Sequence, residues 1–496
     1  MSRLSLHARF RTRRVAVGAT FLMAVGCASA PPPPAPTITH DQKMAWMLQL
    51  EDQRLLRLPP PPPPPEPVGS RRRRVAQTVP ASSPDLTILV RDADPRIRRR
   101  AALAIGRVKL SSGVAPLVST LADADPDVRA MAAFALGLMG DPSAESALLP
   151  LLSDPEPLVR GRAADALGAM GAKGAAEAIG KLAGELARSG PVAAMAPDDE
   201  SWPAAPEAEA FKLGLFALVR LRAYEPLATA VLEGNRPIST WWPVAYALQR
   251  IEDKRAAPAL LHLLGTEGRY TRAFAARGLG ALRDASAAPP LLALLEPSAK
   301  SGLEVSVQAV RALAQLNAAE AAEPLVRLAG DPSTHPNLRL EAITALGAMH
   351  ADAALQLVQD LVSSESPAMR SAALRAVAAI DQESFVFVLA SLEPDRDWHV
   401  RSTLAGLLAQ LPAEISLDRL RGMLQDDDKR VWPAVLGALV RLRAPGIDTI
   451  LLEHLKEADF AVRASAAGLL EELKPAGAAE ALRDAYKAGL PDSASA

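Results

Sequence analysis

A single cysteine, Cys27, stands among 496 residues, so no disulfide can form within the chain and stability has to come from packing. Aromatic residues make up only 4%, which excludes a core built around large rings and leaves one built from small aliphatic side chains. No C-x-x-C, Walker loop, G-x-S-x-G or H-E-x-x-H occurs, so the local signatures of redox, nucleotide, hydrolase and zincin chemistry are missing. None of the seven histidines (His7, His40, His262, His335, His350, His399, His454) is followed by Glu, and Glu453-His454 is a lone reversed pair that reads as a solvated helix face. The acid runs at 198–199 and 426–428 fall in turns or insertions. No catalytic, cofactor-binding or metal-ligating residue is therefore assigned.

The longest apolar run near the start, "VAVGATFLMAVG" at 15–26, is too short for a stop-transfer helix and follows the basic "MSRLSLHARFRTRR". The pair reads as a signal peptide over residues 1–26. The "AVGC" that closes it resembles the lipobox of bacterial lipoproteins, although Ala24 is a weaker third residue than the Leu usual there. That resemblance implies acylation of Cys27 and, with Ala28 following, an outer-membrane anchor facing the periplasm. Residues 27–84 then form a proline-rich tether, with "PPPPAP" and Pro59–Pro65 favouring polyproline II. A short amphipathic helix between them carries Met47, Leu50, Arg54 and Leu58 on one side and is expected to dock on the chain's own first repeat. "RRRR" at 71–74 is a solvated run or a contact for anionic head groups.

Net charge is -1, but unevenly spread: residues 1–100 hold 17 Lys/Arg and 7 Asp/Glu, the rest 38 and 49. An acidic body argues against nucleic acid as partner.

What the chain has in abundance is one phrase. "DPDVRAMAAFALGLMG" at 125–140 recurs 31 residues later as "EPLVRGRAADALGAMG" and 31 earlier as "DPRIRRRAALAIGRVK". With the Arg of "VR" as position zero and small or apolar residues required at +3, +4, +6 and +7, matches fall at Arg98, Arg129, Arg160, Phe211, Trp241, Arg272, Ser306, Arg339, Arg370, Arg401, Trp432 and Arg463. Seven of the eleven spacings are 31, the signature of a solenoid. Alanine and leucine at helical spacing predict a helix pair, A then B, in each unit. Acids four before zero (Asp94, Asp125, Glu156, Asp397, Asp428, Asp459) are placed to cap helix B, and Gly140 and Gly171 to end it. The fold expected is all-α, a right-handed α-solenoid of about twelve helix pairs. The zero-position arginines Arg98, Arg129, Arg160, Arg272, Arg339, Arg370, Arg401 and Arg463 read as a structural ladder pairing with the preceding acids or with helix ends.

The phrase "D-P-x-V-R-x-x-A-A-x-A-L-G-x-x-G" resembles the short HEAT-like repeat of phycobilin lyases and of deoxyhypusine hydroxylase, over residues 85 to about 490. The resemblance specifies fold and says little of function. The hydroxylase carries His-Glu pairs that hold two irons, and this chain has none. A looser resemblance joins the lipoprotein signal and repeats to bacterial proteins in which a cyclophilin-type peptidyl-prolyl isomerase domain follows; "PDSASA" ends the sequence where a further helix B is due. Such an isomerase arm, and a HEAT-like oxidoreductase or bilin lyase, stand as alternatives.

The units divide as 85–186 (units 1–3), an insertion at 187–210 that is rich in Pro, Ala and acids and reads as a mobile loop, and 211–496 (units 4–12 and a terminal helix). Nine of nineteen aromatics lie between Trp202 and Phe274. Phe216, Trp241, Trp242, Tyr246, Phe274 and Arg277, with Phe134 extending the stripe, are either a partner-binding stripe on the B helices or filling for a core gap. The function expected is a monomeric, non-catalytic scaffold that binds a protein or peptide partner and is held at the membrane by its lipid.

Overall fold

The computed structural model describes residues 38–59, 83–201, 204–296 and 300–493. Cys27, the signal segment and "RRRR" lie outside the described residues, as does most of the tether. The described residues form an α-solenoid whose one sheet is the hairpin Leu232–Glu233/Arg236–Pro237.

The B helices run Pro95–Val108, Pro126–Met139, Pro157–Met170, Pro206–Leu221, Trp242–Arg250, Arg269–Leu282, Leu303–Leu316, Pro336–Ala348, Pro367–Ile380, Trp398–Leu408, Trp432–Arg441 and Phe460–Leu473. Their starts follow from local chemistry: Asp94, Asp125, Asp397 and Asp459 each accept a hydrogen bond from the amide two residues on, replacing one bond the first turn cannot make. Proline at N1 in units 1 to 3 gives up a donor that would have no partner. Gly140 and Gly171 end their helices in the left-handed region. Glu156 makes no cap bond, and Asp428 caps the short 3-10 turn Lys429–Val431 rather than the helix after it.

Positions +3, +4, +6 and +7 are buried in every unit from Ala101 to Leu439. They line a core that is continuous along the array. Consecutive B helices touch all along it, closely enough that side chains had to be trimmed. A Cβ on Gly106, Gly137, Gly168, Gly280 or Gly347, all at +8, would lie between 2.6 and 3.0 Å from the Cα of the +6 alanine of the next unit. Between units 5 and 6 the sizes are exchanged, with Gln249 at +8 facing Gly278 at +6. The seam is thus set by volume complementarity.

The sequence predicts that the arginine ladder pairs with the preceding acids or with helix ends; its carboxylate partners instead lie forward along the array, while its backward bonds go to backbone carbonyls. Arg98 donates through Nε and Nη2 to both carboxylate oxygens of Asp123, at 2.7 Å each. The same fork joins Arg129 to Asp154, Arg370 to Asp395 and Arg401 to Asp426, always 25 residues on. The third nitrogen reaches back: Nη1 of Arg98, Arg129, Arg160, Arg370, Arg401 and Arg463 donates to the backbone carbonyl six residues earlier. Each ladder aspartate therefore ties two units, with its carboxylate on one arginine and its carbonyl on the next zero-position side chain. Trp432, which replaces arginine in unit 11, donates its indole N–H to the Asp426 carbonyl at 3.2 Å. Arg339 bonds the Ala329 carbonyl and Arg272 the Ser301 hydroxyl.

The helix His40–Asp52 docks on unit 1, burying Met47 and Leu50. Its Lys43 ammonium meets Asp92 at 2.5 Å, where a preceding ladder arginine would stand, and Glu51 receives Arg100 through both oxygens. The helix stops at Asp52, so Arg54 and Leu58 do not extend its buried side.

The Arg98 and Arg401 guanidinium groups hold the carboxyls of Asp123 and Asp426 below the usual carboxylate range. At Asp154 and Asp395 burial pushes upward, and is overcome by the arginine and a backbone amide. In the unfolded chain these carboxyls titrate near 3.9, so their contribution is fully present above that value and is lost as pH falls through the lower folded values. Urea midpoints should be flat from about pH 5 to 8 and fall below about pH 4. Asp154→Asn should cost about 2 kcal/mol at pH 7 and shrink that acid dependence. A variant as stable as the parent at pH 7 would show the ladder to be energetically idle.

Candidate functional site

Among the described residues the ladder's forward fork is missing from Arg160 to Arg339, and units 4 to 6 fall within that stretch. Unit 4 offers no acid to Arg160, whose buried Nε has no hydrogen-bond partner among the described residues, and the Arg272 Nε is in the same state. Between these two arginines the zero positions are Phe211 and Trp241.

The insertion takes the ladder's place. The sequence predicts a mobile loop at 187–210; its described residues 197–199 are instead hydrogen-bonded onto the array as a strap. Its last residues, from Pro206, already form the first turn of helix B, and Val192 is fully buried. Residues 197–199 then cross the N-terminal ends of two B helices. The Pro197 carbonyl accepts from the Trp242 amide at 2.8 Å. The Asp198 carboxylate accepts from the amides of Arg269 and Tyr270 at 2.6 and 2.9 Å, capping helix B of unit 6. The Asp199 carbonyl accepts both indole N–H groups, Trp241 at 2.9 Å and Trp242 at 3.2 Å. Trp241 thus makes the bond that Trp432 makes in unit 11, but to a carbonyl 42 residues away. Composition had pointed to mobility because proline, alanine and acids supply little apolar surface; backbone carbonyls and one carboxylate hold the strap where side chains do not.

The rings form one connected set. Phe211 stacks on Trp241 with centroids 6.2 Å apart. Trp242, Tyr246 and Phe274 meet mutually at 5.4 to 6.5 Å, and Phe216 meets Tyr246 edge-on at 5.1 Å. Burial separates two roles. Trp241 is 3% exposed and Phe211 fully buried, so Trp241 is a core and ladder residue and is removed from the partner-binding set. Phe216, Trp242, Tyr246 and Phe274 are half-buried, sitting at +1, +2 or +5 on the face turned away from the +3/+4/+7 core stripe. Arg277 is exposed beside Phe274. Phe134 is apart from these rings and lies under the Arg162 guanidinium at 5.2 Å.

A second aromatic group was not singled out from the sequence. Arg430 lies over Trp398 at 4.5 Å and Lys429 over Trp432 at 4.9 Å, beside a shallow cavity of about 500 Å³ lined by Arg401, Asp427, Asp428, Lys429, Arg430 and Asp459. The repeated Trp at the start of units 10 and 11 was the available signal. Among the described residues no three His, Cys, Asp or Glu side chains converge as metal ligands, and no helix is long and apolar enough to cross a membrane.

Helix pairs stacked in register with a continuous core define an α-solenoid repeat protein. The chain matches the HEAT-repeat family over residues 114–189, 226–303, 300–378, 332–393 and 386–471, more than half its length, and belongs to that family. Phycocyanobilin lyase subunit alpha of Picosynechococcus sp. is 34% identical over 168 residues, 30% of this chain and 60% of that protein. The chain thus spans less than two thirds of that relative. Among solved structures, Kap121p covers 81% of this chain and 57% of its own at 12% identity and a TM-score of 0.43. The complex of CpcE and CpcF of phycocyanin lyase from Nostoc sp. PCC7120 covers 63% and 100% at 22% identity and a TM-score of 0.28.

Gly268 fixes the strap's seat. It has φ +101°, and a Cβ there would stand 2.5 Å from Pro197 Cβ. Gly268→Ala should free the strap, seen as faster proteolytic cleavage within residues 195–201 while the rest of the array stays protected. Unchanged cleavage would mean that the strap does not depend on this contact.

Proposed function

We propose that this protein is a non-catalytic binding scaffold, tethered to the bacterial envelope through a lipid on Cys27, that takes a protein partner on the B-helix face of units 4 to 6. The observation that carries the reading is the half-buried set Phe216, Trp242, Tyr246 and Phe274, held rigid by its own ring contacts and by the strap behind it. Aromatics with arginine beside them, fixed in one arrangement before binding, are the composition and pre-organisation of an interface hot spot. Membership of a repeat family whose units present long continuous faces supports the class of function. The lipobox-like "AVGC" supports the anchor, with the periplasmic side of the outer membrane as the expected address. The isomerase arm has no comparable support.

A bilin-lyase activity is the second reading, favoured by the 34% identity to the phycocyanobilin lyase subunit. It is separable by spectroscopy: phycocyanobilin mixed with purified full chain should give no protein-induced change in its visible band on the scaffold reading, and a saturable change on the lyase reading.

For the scaffold, a photo-crosslinking amino acid in place of Ala273 in the native host should give a discrete adduct, and one in place of Glu185 on the opposite helix layer should not. Trp242→Ala combined with Tyr246→Ala should remove the adduct from a chain that still folds, because each ring truncation at a hot spot costs about 2 kcal/mol or more of binding. Adducts at both positions, or an adduct that survives the ring truncations, would contradict the assignment. Cys27→Ser should abolish palmitate incorporation; labelling that persists would refute the lipid anchor.

A further inference from the structure

The face that carries the rings also carries unpaired positive charge. Each of the three B helices sets an arginine about one turn beyond its aromatic: Arg220 after Phe216, Arg250 after Tyr246, Arg277 after Phe274. Arg220 is held by Asp165. Arg250 and Arg277 are exposed, and neither has a hydrogen bond, ion pair or ring contact among the described residues. The last turn of a helix favours a cation and accounts for Arg250, but Arg277 lies five residues before the end of its helix and has no such reason to be there.

The same bias extends along the face. At +2, +5 and +9 arginine recurs from Arg100 to Arg375, whereas the carboxylates at these positions in units 1 to 9 are Asp165 and Glu341. Both are already matched, to Arg220 and to Arg311. The chain beyond residue 100, this face included, is acidic as a whole, with 49 Asp/Glu against 38 Lys/Arg. A basic, aromatic face on an acidic body selects a partner by charge.

We infer that the occupant of this face, taking as given that units 4 to 6 form the docking surface, is an extended acidic segment of a protein. Adjacent B helices are about 10 Å apart, and a chain in the polyproline II conformation advances about 3.1 Å per residue with three residues per turn, so every third side chain returns to the same side. A carboxylate at every third residue therefore meets Arg250 and then Arg277, and each guanidinium can receive a carboxylate with two parallel hydrogen bonds. Apolar side chains between the acids lie against Tyr246 and Phe274. Single-stranded nucleic acid offers negative charge too, but it needs open ring faces for base stacking. Here Phe216, Tyr246 and Phe274 are half-buried and turned edge to face on one another.

The test uses the full chain and three fluorescein-labelled probes: four repeats of Asp-Leu-Ser, the Asn-Leu-Ser counterpart, and a thymidine dodecanucleotide. Anisotropy titrations should show the acidic peptide bound about tenfold more tightly than its neutral counterpart, with the difference shrinking as salt rises. Arg250→Gln with Arg277→Gln should bring the acidic peptide down to the neutral one in a chain that stays folded, with thermal stability lowered by no more than the loss of one exposed helix-end cation; Lys181→Gln on the other helix layer should change nothing. Equal affinity for the two peptides, no binding of either, a preference that survives the double arginine change, or tighter binding of the oligonucleotide would each overturn the inference. If Trp242→Ala with Tyr246→Ala weakens both peptides while the parent does not distinguish them, the docking surface stands and only its acidic preference fails. Peptide binding untouched by the ring truncations removes the docking surface itself.

Discussion

One bond organises this array: the hydrogen bond from the zero-position side chain to a backbone carbonyl in the loop before its helix. Arginine makes it in units 1 to 3, 9, 10 and 12, and Trp432 makes it in unit 11. It satisfies a carbonyl at a helix-to-helix turn and sets the angle at which helix B leaves it. Where the donor is arginine it leaves Nε and Nη2 free for the next unit's aspartate, so a turn-closing bond becomes a link between units. The close seam between B helices, with glycine at +8 against alanine at +6, runs alongside it through units with and without that bond.

Unit 5 follows the same rule by other means. An indole replaces the guanidinium at Trp241, and the carbonyl it needs is supplied by Asp199 from the insertion. An indole cannot also grip a carboxylate, so the link to the next unit passes instead to Asp198 on the amides of unit 6 and to Pro197 on Trp242. The cost of the change is visible in the unpartnered Nε atoms of Arg160 and Arg272 at its two edges. Its effect is to place large rings side by side in a chain that otherwise avoids them, fixed from behind by the strap. That combination of local irregularity and rigidity is what a binding surface requires and what a uniform repeat cannot offer.

Much of the fold was legible beforehand because the repeat's period and its +3, +4, +6 and +7 positions are direct consequences of helix geometry. The forward pairing was missed because attention fell on the acids four before zero, which cap helices. The acids six before zero, Asp92, Asp123, Asp154, Asp395 and Asp426, recur just as regularly and are the ladder's other half. Phe216, Trp242, Tyr246, Phe274 and Arg277 were placed on the B-helix face from their register, which also put Trp241 at zero without showing that it is buried there. The strap was unreadable, since its attachments are backbone carbonyls and one carboxylate, to partners 42 to 74 residues away, and composition carries no trace of them.

The central claim, that the ring-bearing face of units 4 to 6 receives an acidic partner, is tested most directly by hydrogen exchange on the full chain with and without the acidic peptide. The account predicts slowed exchange confined to residues 206–221, 242–250 and 269–282 and to the strap at 196–201, with the A helices unchanged. Protection centred instead on the A helices or on units 10 to 12 would contradict it.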